Sequence, residues 1–223
     1  MWPAFVMEGT MKYIIMCGGK YPRWQGPRQL VEIRGEPIVA RTIRLLRERG
    51  VEDIAISSNC PEFERFGVPV LRHENGFIAR DRDPGDWVDA FYPTEEPVCY
   101  VFGDVVFSPA AIKVIVRAQT DGIEFFASAP PFSPLYPKNW AEPFAFKVAD
   151  VPRFRRAIED VKWLTRAGKF RRTPIAWELW NVIRRGPGGD VNRIDFRTYQ
   201  VINDYTCDID MPQDAKLFDR IVE

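Results

Sequence analysis

The feature that most constrains this chain is a set of short, unbroken apolar runs that end in glycine or small polar residues. Tyr13-Ile14-Ile15-Met16-Cys17 stops at Gly18-Gly19, and Val98-Cys99-Tyr100-Val101-Phe102 stops at Gly103-Asp104. Neither run alternates apolar with polar, so each reads as a strand buried on both faces, as in a parallel sheet covered by helices. Asp53–Ser58, Val68–Leu71, Phe125–Ser128 and Phe144–Val148 read as further strands, with Leu30–Ile33 a short extended piece. Helix signals fall between them. Pro37 opens one, with Ile38, Val39, Ile43 and Leu46 on one face and Gly50 at its end. Ser108-Pro109 is an N-cap and first helical residue for the next, with Ile112, Ile115 and Val116 inward. Beyond Val151 the pattern turns helical over Val151–Leu164 and Pro174–Arg185, with a late strand at Tyr199–Ile202. Pro212–Val222 is a last helix with Leu217, Phe218 and Ile221 inward. The expected class is α/β, with a mostly parallel central sheet flanked by helices.

Composition narrows the function. The 223 residues carry 31 Lys+Arg against 31 Asp+Glu, so formal net charge is zero. A nucleic-acid polymer as partner is therefore not expected, since phosphate neutralisation calls for a basic surplus. No apolar run approaches the roughly 20 residues of a bilayer span, so no membrane partner is expected. Met1–Met7 lacks the basic and long apolar regions of a secretory signal. Residues 1–11 read as an N-terminal extension of a domain over 12–223. Cys17, Cys60, Cys99 and Cys207 form no CxxC pair, which fits reduced thiols in a cytoplasmic protein. His73 is the single histidine, so histidine zinc sites and Ser-His-Asp chemistry are not expected. It reads as a surface or capping residue at a strand end.

In open parallel sheets, ligands bind beyond the carboxyl ends of the strands. Two such ends are polar here. The segment from Gly18 to Arg28 combines glycines with Lys20, Arg23 and Arg28, which suits a phosphate but also a solvated turn. It is neither a P-loop nor GxGxxG. Asp104 is placed either to ligate Mg2+ or to make a Gly-Asp turn. Asp208 and Asp210 would share one face of an extended segment, as ligands or with one of them capping the following helix.

Taken in order, these segments resemble one family. Ile14–Gly19, Arg23, Pro27-Arg28-Gln29-Leu30 and Gly35-Glu36-Pro37-Ile38 are similar to the opening of the GT-A-like nucleotidyltransferases. Those include sugar-phosphate nucleotidyltransferases, cytidylyltransferases and molybdenum-cofactor guanylyltransferases. Gly103-Asp104 resembles their GD metal motif, and Asp208-Ile209-Asp210-Met211-Pro212-Gln213-Asp214 their D-x-D-T-P-E-D terminal motif. The resemblance implies a Rossmann-like GT-A fold and transfer of a nucleoside monophosphate from an NTP to a phosphorylated small molecule, such as a sugar phosphate, with release of pyrophosphate. It implies that Cys17, Gly18, Gly19, Lys20, Asn59 and Gly103 lie against the nucleotide. Arg23 would contact the β- and γ-phosphates, and Arg28 the α-phosphate. Asp104 and Asp210 would hold Mg2+. The acceptor would lie against a subregion around 130–200, in which Tyr136–Pro143 reads either as pocket lining or as a surface loop.

Two departures from the family pattern stand out. Arg28 replaces the usual lysine, keeping the charge on a planar, bulkier head. Met211 and Gln213 replace Thr and Glu, which should remove the helix cap at a cost of ~1 kcal/mol. The rival readings are a GT-A glycosyltransferase and a weakened nucleotide-binding module. Trp163, Trp177 and Trp180 read as core or subunit interface, permitting a homodimer. Neutrality itself is an average: residues 20–49 hold Lys20 and seven arginines against Glu32, Glu36 and Glu48. That local surplus suits a small polyphosphate.

Overall fold

The computed structural model describes residues 11–18, 24, 26–73 and 86–222. The apolar runs become the centre of a seven-stranded sheet. Its strands are β1 (Lys12–Met16), β4 (Ile54–Ser57), β5 (Val70–Leu71), β6 (Val98–Phe102), β8 (Ile123–Ala127), β9 (Pro143–Val148) and β10 (Gln200–Val201). Their order across the sheet is β10-β8-β9-β6-β1-β4-β5. Every junction is parallel except the two that β9 makes, with β6 and with β8. β1 and β6 are buried almost throughout, which is why they lack alternation.

The order of the strands points to where a ligand is expected. From β1 the chain moves outward through β4 and β5, then returns to place β6 on the other side of β1. That reversal is a topological switch point. Register keeps the strand ends level there, with Met16 opposite both Ser57 and Phe102. Cys17, Ser58 and Gly103 therefore follow at one height.

Two small pairings complete the frame. β2 (Glu32–Ile33) and β3 (Glu36–Pro37) form a hairpin whose turn residues, Arg34 and Gly35, have φ of 53° and 78°. Positive φ at both positions is the type I′ requirement. β7 (Val105–Val106) pairs antiparallel with β11 (Cys207–Asp208).

The helices cover the sheet much as expected. α1 (Ile38–Arg47) buries Ile38, Val39, Ile43 and Leu46, and Gly50 follows at φ 80°. α2 (Pro109–Arg117) is capped by Ser108, whose Oγ accepts the Ala111 amide at 2.9 Å. α3 (Val151–Arg166) runs two residues past the expected end, and Asp150 Oδ1 caps it by accepting the Arg153 amide at 3.0 Å. α4 (Ala176–Arg185) begins two residues later than expected. α5 (Pro212–Ile221) closes the order. Between β6, β8, β9 and the helices lies an aromatic cluster, with Phe146 stacked on Phe125 at 4.5 Å and edge-on to Phe91 at 5.6 Å. Such offset and edge contacts stabilise by ~0.5–1.5 kcal/mol beyond area burial.

Several expectations are corrected. Leu30 is not extended: Arg28–Leu30 form a short tight helical turn, with the Leu30 amide donating to Pro27 O at 3.0 Å. Leu217 does not face inward but is 37% exposed, because Phe218, one residue and about 100° further round the helix, takes the core position. Of the three tryptophans read as core or interface, Trp177 and Trp180 are in the core, while Trp163 on α3 is 56% exposed, which leaves it only the interface alternative. His73 is buried rather than on the surface. The Asn59 side chain accepts its amide at 2.6 Å and donates to its carbonyl at 3.0 Å, turning the ring edge-on to Tyr92 at 5.8 Å. Burial pushes the imidazole below its usual pKa.

Candidate active site

Gly103 follows β6 directly and lies against the end of β1. Its amide donates to Met16 O at 3.0 Å, and a Cβ there would lie 2.5 Å from that oxygen and 2.7 Å from Cys17 Sγ. Only glycine lets the strand end turn in and deliver Asp104 to the crevice. The Asp104 carbonyl accepts the Ile209 amide at 3.0 Å, so the β7–β11 pairing carries Asp208 and Asp210 to the same place. Both aspartates do share one face, as alternation predicts.

Arg28 joins these segments. It leaves the tight turn after Pro27 and donates through Nη2 to Asp104 Oδ2. Its Nη1 donates to Asp210 Oδ1 at 3.0 Å and to Ile209 O at 2.9 Å. The guanidinium thus forks across two carboxylates through N–H groups fixed in one plane, a bidentate geometry. The Trp24 indole N–H donates to Asp210 O at 3.2 Å.

A second cation enters from the other side. β9 runs antiparallel to β6, so the loop before β9 meets the end of β6. From this loop Lys138 Nζ reaches Asp208 Oδ1 at 2.5 Å, Asp210 Oδ2 at 2.7 Å and Glu142 Oε1 at 3.2 Å. Trp140 donates its indole N–H to Glu142. Burial alone would lower the Lys138 pKa, but the charges of Asp208 and Glu142 outweigh it and hold the ammonium above the usual lysine range. Asp210 is likewise driven up by burial, yet Lys138 and then Arg28 hold its carboxyl below the usual range. Asp208 is pushed well above that range by burial and by Glu142, and Glu142 is raised chiefly by burial. The oxygens of Glu142, Asp208 and Asp210 lie within 4.8 Å of one another. Hard carboxylate oxygens of this kind suit Mg2+ or a similar divalent ion.

The other expected site residues are placed unevenly. Cys17 is buried beside β4, its amide donating to Ser57 O at 2.9 Å, and burial pushes its thiol well up. Gly18 follows it at the end of β1. Asn59 stands beyond β4, engaged with the His73 backbone. Gly19, Lys20 and Arg23 lie outside the described residues, as does the N-terminal extension up to Thr10. Lys138 and Glu142 were foreseen only as part of a stretch beside the acceptor. The available signal was a lysine four residues before a glutamate in the loop entering a strand. Met211 gives α5 no side-chain cap, but Asp214 Oδ2 accepts the amides of Asp210 and Met211, each at 2.8 Å, which offsets the loss. Among the described residues no helix is long and apolar enough to cross a membrane.

Comparison with known proteins follows the same lines. The inositol-1-phosphate CTP transferase of T. maritima superposes with a TM-score of 0.57 at 16% identity, over 96% of this chain and 98% of that one. A structure described as a glucose-1-phosphate thymidylyltransferase from Bacillus anthracis, in complex with a sucrose, gives 0.53 at 16% identity, over 96% of each chain. The CTP:phosphocholine cytidylyltransferase of Streptococcus pneumoniae gives 0.50 at 15%, over 96% of this chain and 100% of that one. At such identities the likeness is one of fold. No curated protein sequence matches the chain. The MobA-like NTP transferase domain, however, matches residues 13–172. Together with the strand order and its switch point, that match assigns the chain to its family: it belongs to the MobA-like NTP transferases.

Proposed function

We propose that the chain joins the nucleoside monophosphate of an NTP to a phosphorylated small molecule, a sugar phosphate being the favoured class, and releases pyrophosphate. The observation that carries this reading is the convergence of Arg28, Asp104 and Asp210 at the β1/β6 switch point. An acceptor phosphate oxygen attacks the α-phosphorus in line. The bond from that phosphorus to the bridging oxygen breaks, and its electron pair leaves with pyrophosphate. No protein nucleophile is required, so positioning and charge neutralisation are the whole task. The backbone after β1 approaches the phosphates, and Lys20 and Arg23 take the phosphate-contacting roles that the family resemblance implies. Arg28 exchanges its carboxylate partners for phosphate oxygens, drawing on the same bidentate geometry. Asp104 and Asp210 are the residues that would hold Mg2+, which when bound supplies Lewis-acid charge at the phosphoryl oxygens.

The ion pairs of Arg28 also favour a second reading, a nucleotide-binding module whose chemistry is attenuated. One assay separates the two. Purified protein with Mg2+, each common NTP and a panel of sugar 1-phosphates should release pyrophosphate for at least one pair. Nucleotide binding with no release from any pair would leave the binding module as the better account.

A further inference from the structure

Lys138 has no part in that reaction scheme, yet its side chain is only 6% exposed amid the carboxylates. Its ammonium lies within 3.2 Å of oxygens from Glu142, Asp208 and Asp210. Those oxygens are close enough to one another to share one cation. Without one, three crowded carboxylates would repel. A tethered ammonium meets that need permanently, because it cannot dissociate.

Lys138 also divides the two oxygens of Asp210. Oδ2 is taken by the ammonium, while Oδ1 is directed to the Arg28 guanidinium that holds Asp104. Among the described residues, four carboxylates (Asp104, Glu142, Asp208, Asp210) meet two cations (Arg28, Lys138) at this point.

We infer that Lys138 is a positioning residue: a resident cation filling the Glu142–Asp208–Asp210 cluster, where it turns Asp210 Oδ1 toward Asp104 and limits the site to a single divalent ion. The inference rests on the reading that Asp104 and Asp210 hold that ion.

The experiment counts Mn2+ bound to the full chain, by calorimetry and by electron paramagnetic resonance, with Mn2+ alone as the probe. The wild-type chain should bind one ion. Lys138→Met should bind two, with spin–spin broadening from the close pair, and Lys138→Met/Glu142→Gln should return to one. Lys138→Arg should keep the wild-type count. On an Asp104→Asn background the count should rise from none to one when Lys138→Met is added. If Asp104→Asn binds as the wild type does, the metal reading fails, and the gain with Lys138→Met still decides the role of Lys138. If folded Lys138→Met gains no ion on either background, the inference is overturned. Lys138→Gln is measured in parallel, and a folded Lys138→Gln with no added ion also overturns it. Should neither variant fold in metal-free buffer, recovery of the folded circular dichroism signal on adding Mn2+ supports the inference, and failure to recover overturns it.

Discussion

Arg28 donates to Asp210 at 3.0 Å across a separation of 182 residues, and the same guanidinium holds Asp104. The N-terminal loop, the GD turn and the terminal acidic motif are thereby tied at one point. The carboxylates that suit a divalent ion are already neutralised in part by a side chain that also suits phosphate. Arg28→Ala should therefore act in opposite directions. Turnover should fall by ~10²–10³-fold, the usual cost of removing one preorganised charge donor. Mn2+ affinity without nucleotide should rise, because the ion no longer competes with the guanidinium. Arg28→Lys should fall between the two proteins in rate. A rate above wild type would instead mark Arg28 as the cause of attenuated chemistry.

Asp104→Asn keeps the shape of the turn and removes the charge. If this carboxylate holds the ion, pyrophosphate release in Mg2+ should drop by ~10²–10³-fold, since Lewis-acid stabilisation is worth several kcal/mol. Unchanged turnover would show the ion to be held elsewhere.

Gly103→Ala should destabilise by ~1–3 kcal/mol, the range for overpacking. The added Cβ would meet backbone at Met16 O, 2.5 Å away, which cannot rotate aside. Urea unfolding measures the shift, with Ala145→Gly as a comparison in which a buried strand residue loses its methyl.

Lys147 is buried in β9, and its ammonium donates to the carbonyls of Ile115, Val116 and Ala118 at 3.3, 3.0 and 2.6 Å. It satisfies the end of α2, where free carbonyls lack helical partners. Lys147→Met keeps the volume and removes those bonds, so a loss of ~2 kcal/mol is expected in chemical denaturation.

Arg44 grips both oxygens of Glu36, at 2.9 and 2.7 Å, and this hydrogen bonding lowers the Glu36 pKa. A depressed folded-state pKa means the stabilisation is present above the ordinary glutamate range and is lost as pH falls through the folded value. Both side chains are partly exposed, so the effect is small, about 0.5 kcal/mol. Glu36→Gln should be less stable than wild type by that amount at neutral pH, and the difference should vanish in acid.

The sequence by itself determined the elements that repeat a local pattern. The unbroken runs at Tyr13 and Val98 could only be strands covered on both faces, and Ser108-Pro109 announced a capped helix start. Burial and capping act within a few residues, so they can be read along the chain. Gly103-Asp104 and the Asp208/Asp210 pair were legible as motifs for the same reason. What only the tertiary structure decided is how these meet. Leu217 and Phe218 are equally apolar, and the packing surface alone chose between them. His73 was drawn inward by an amide fourteen residues away. Lys138 lies in an irregular loop where its spacing to Glu142 says nothing of distant partners, and it reaches Asp208 and Asp210 only because β9 runs against β6. Ion pairing between distant segments depends on which strand ends lie side by side, and that is a property of sheet order rather than of local sequence.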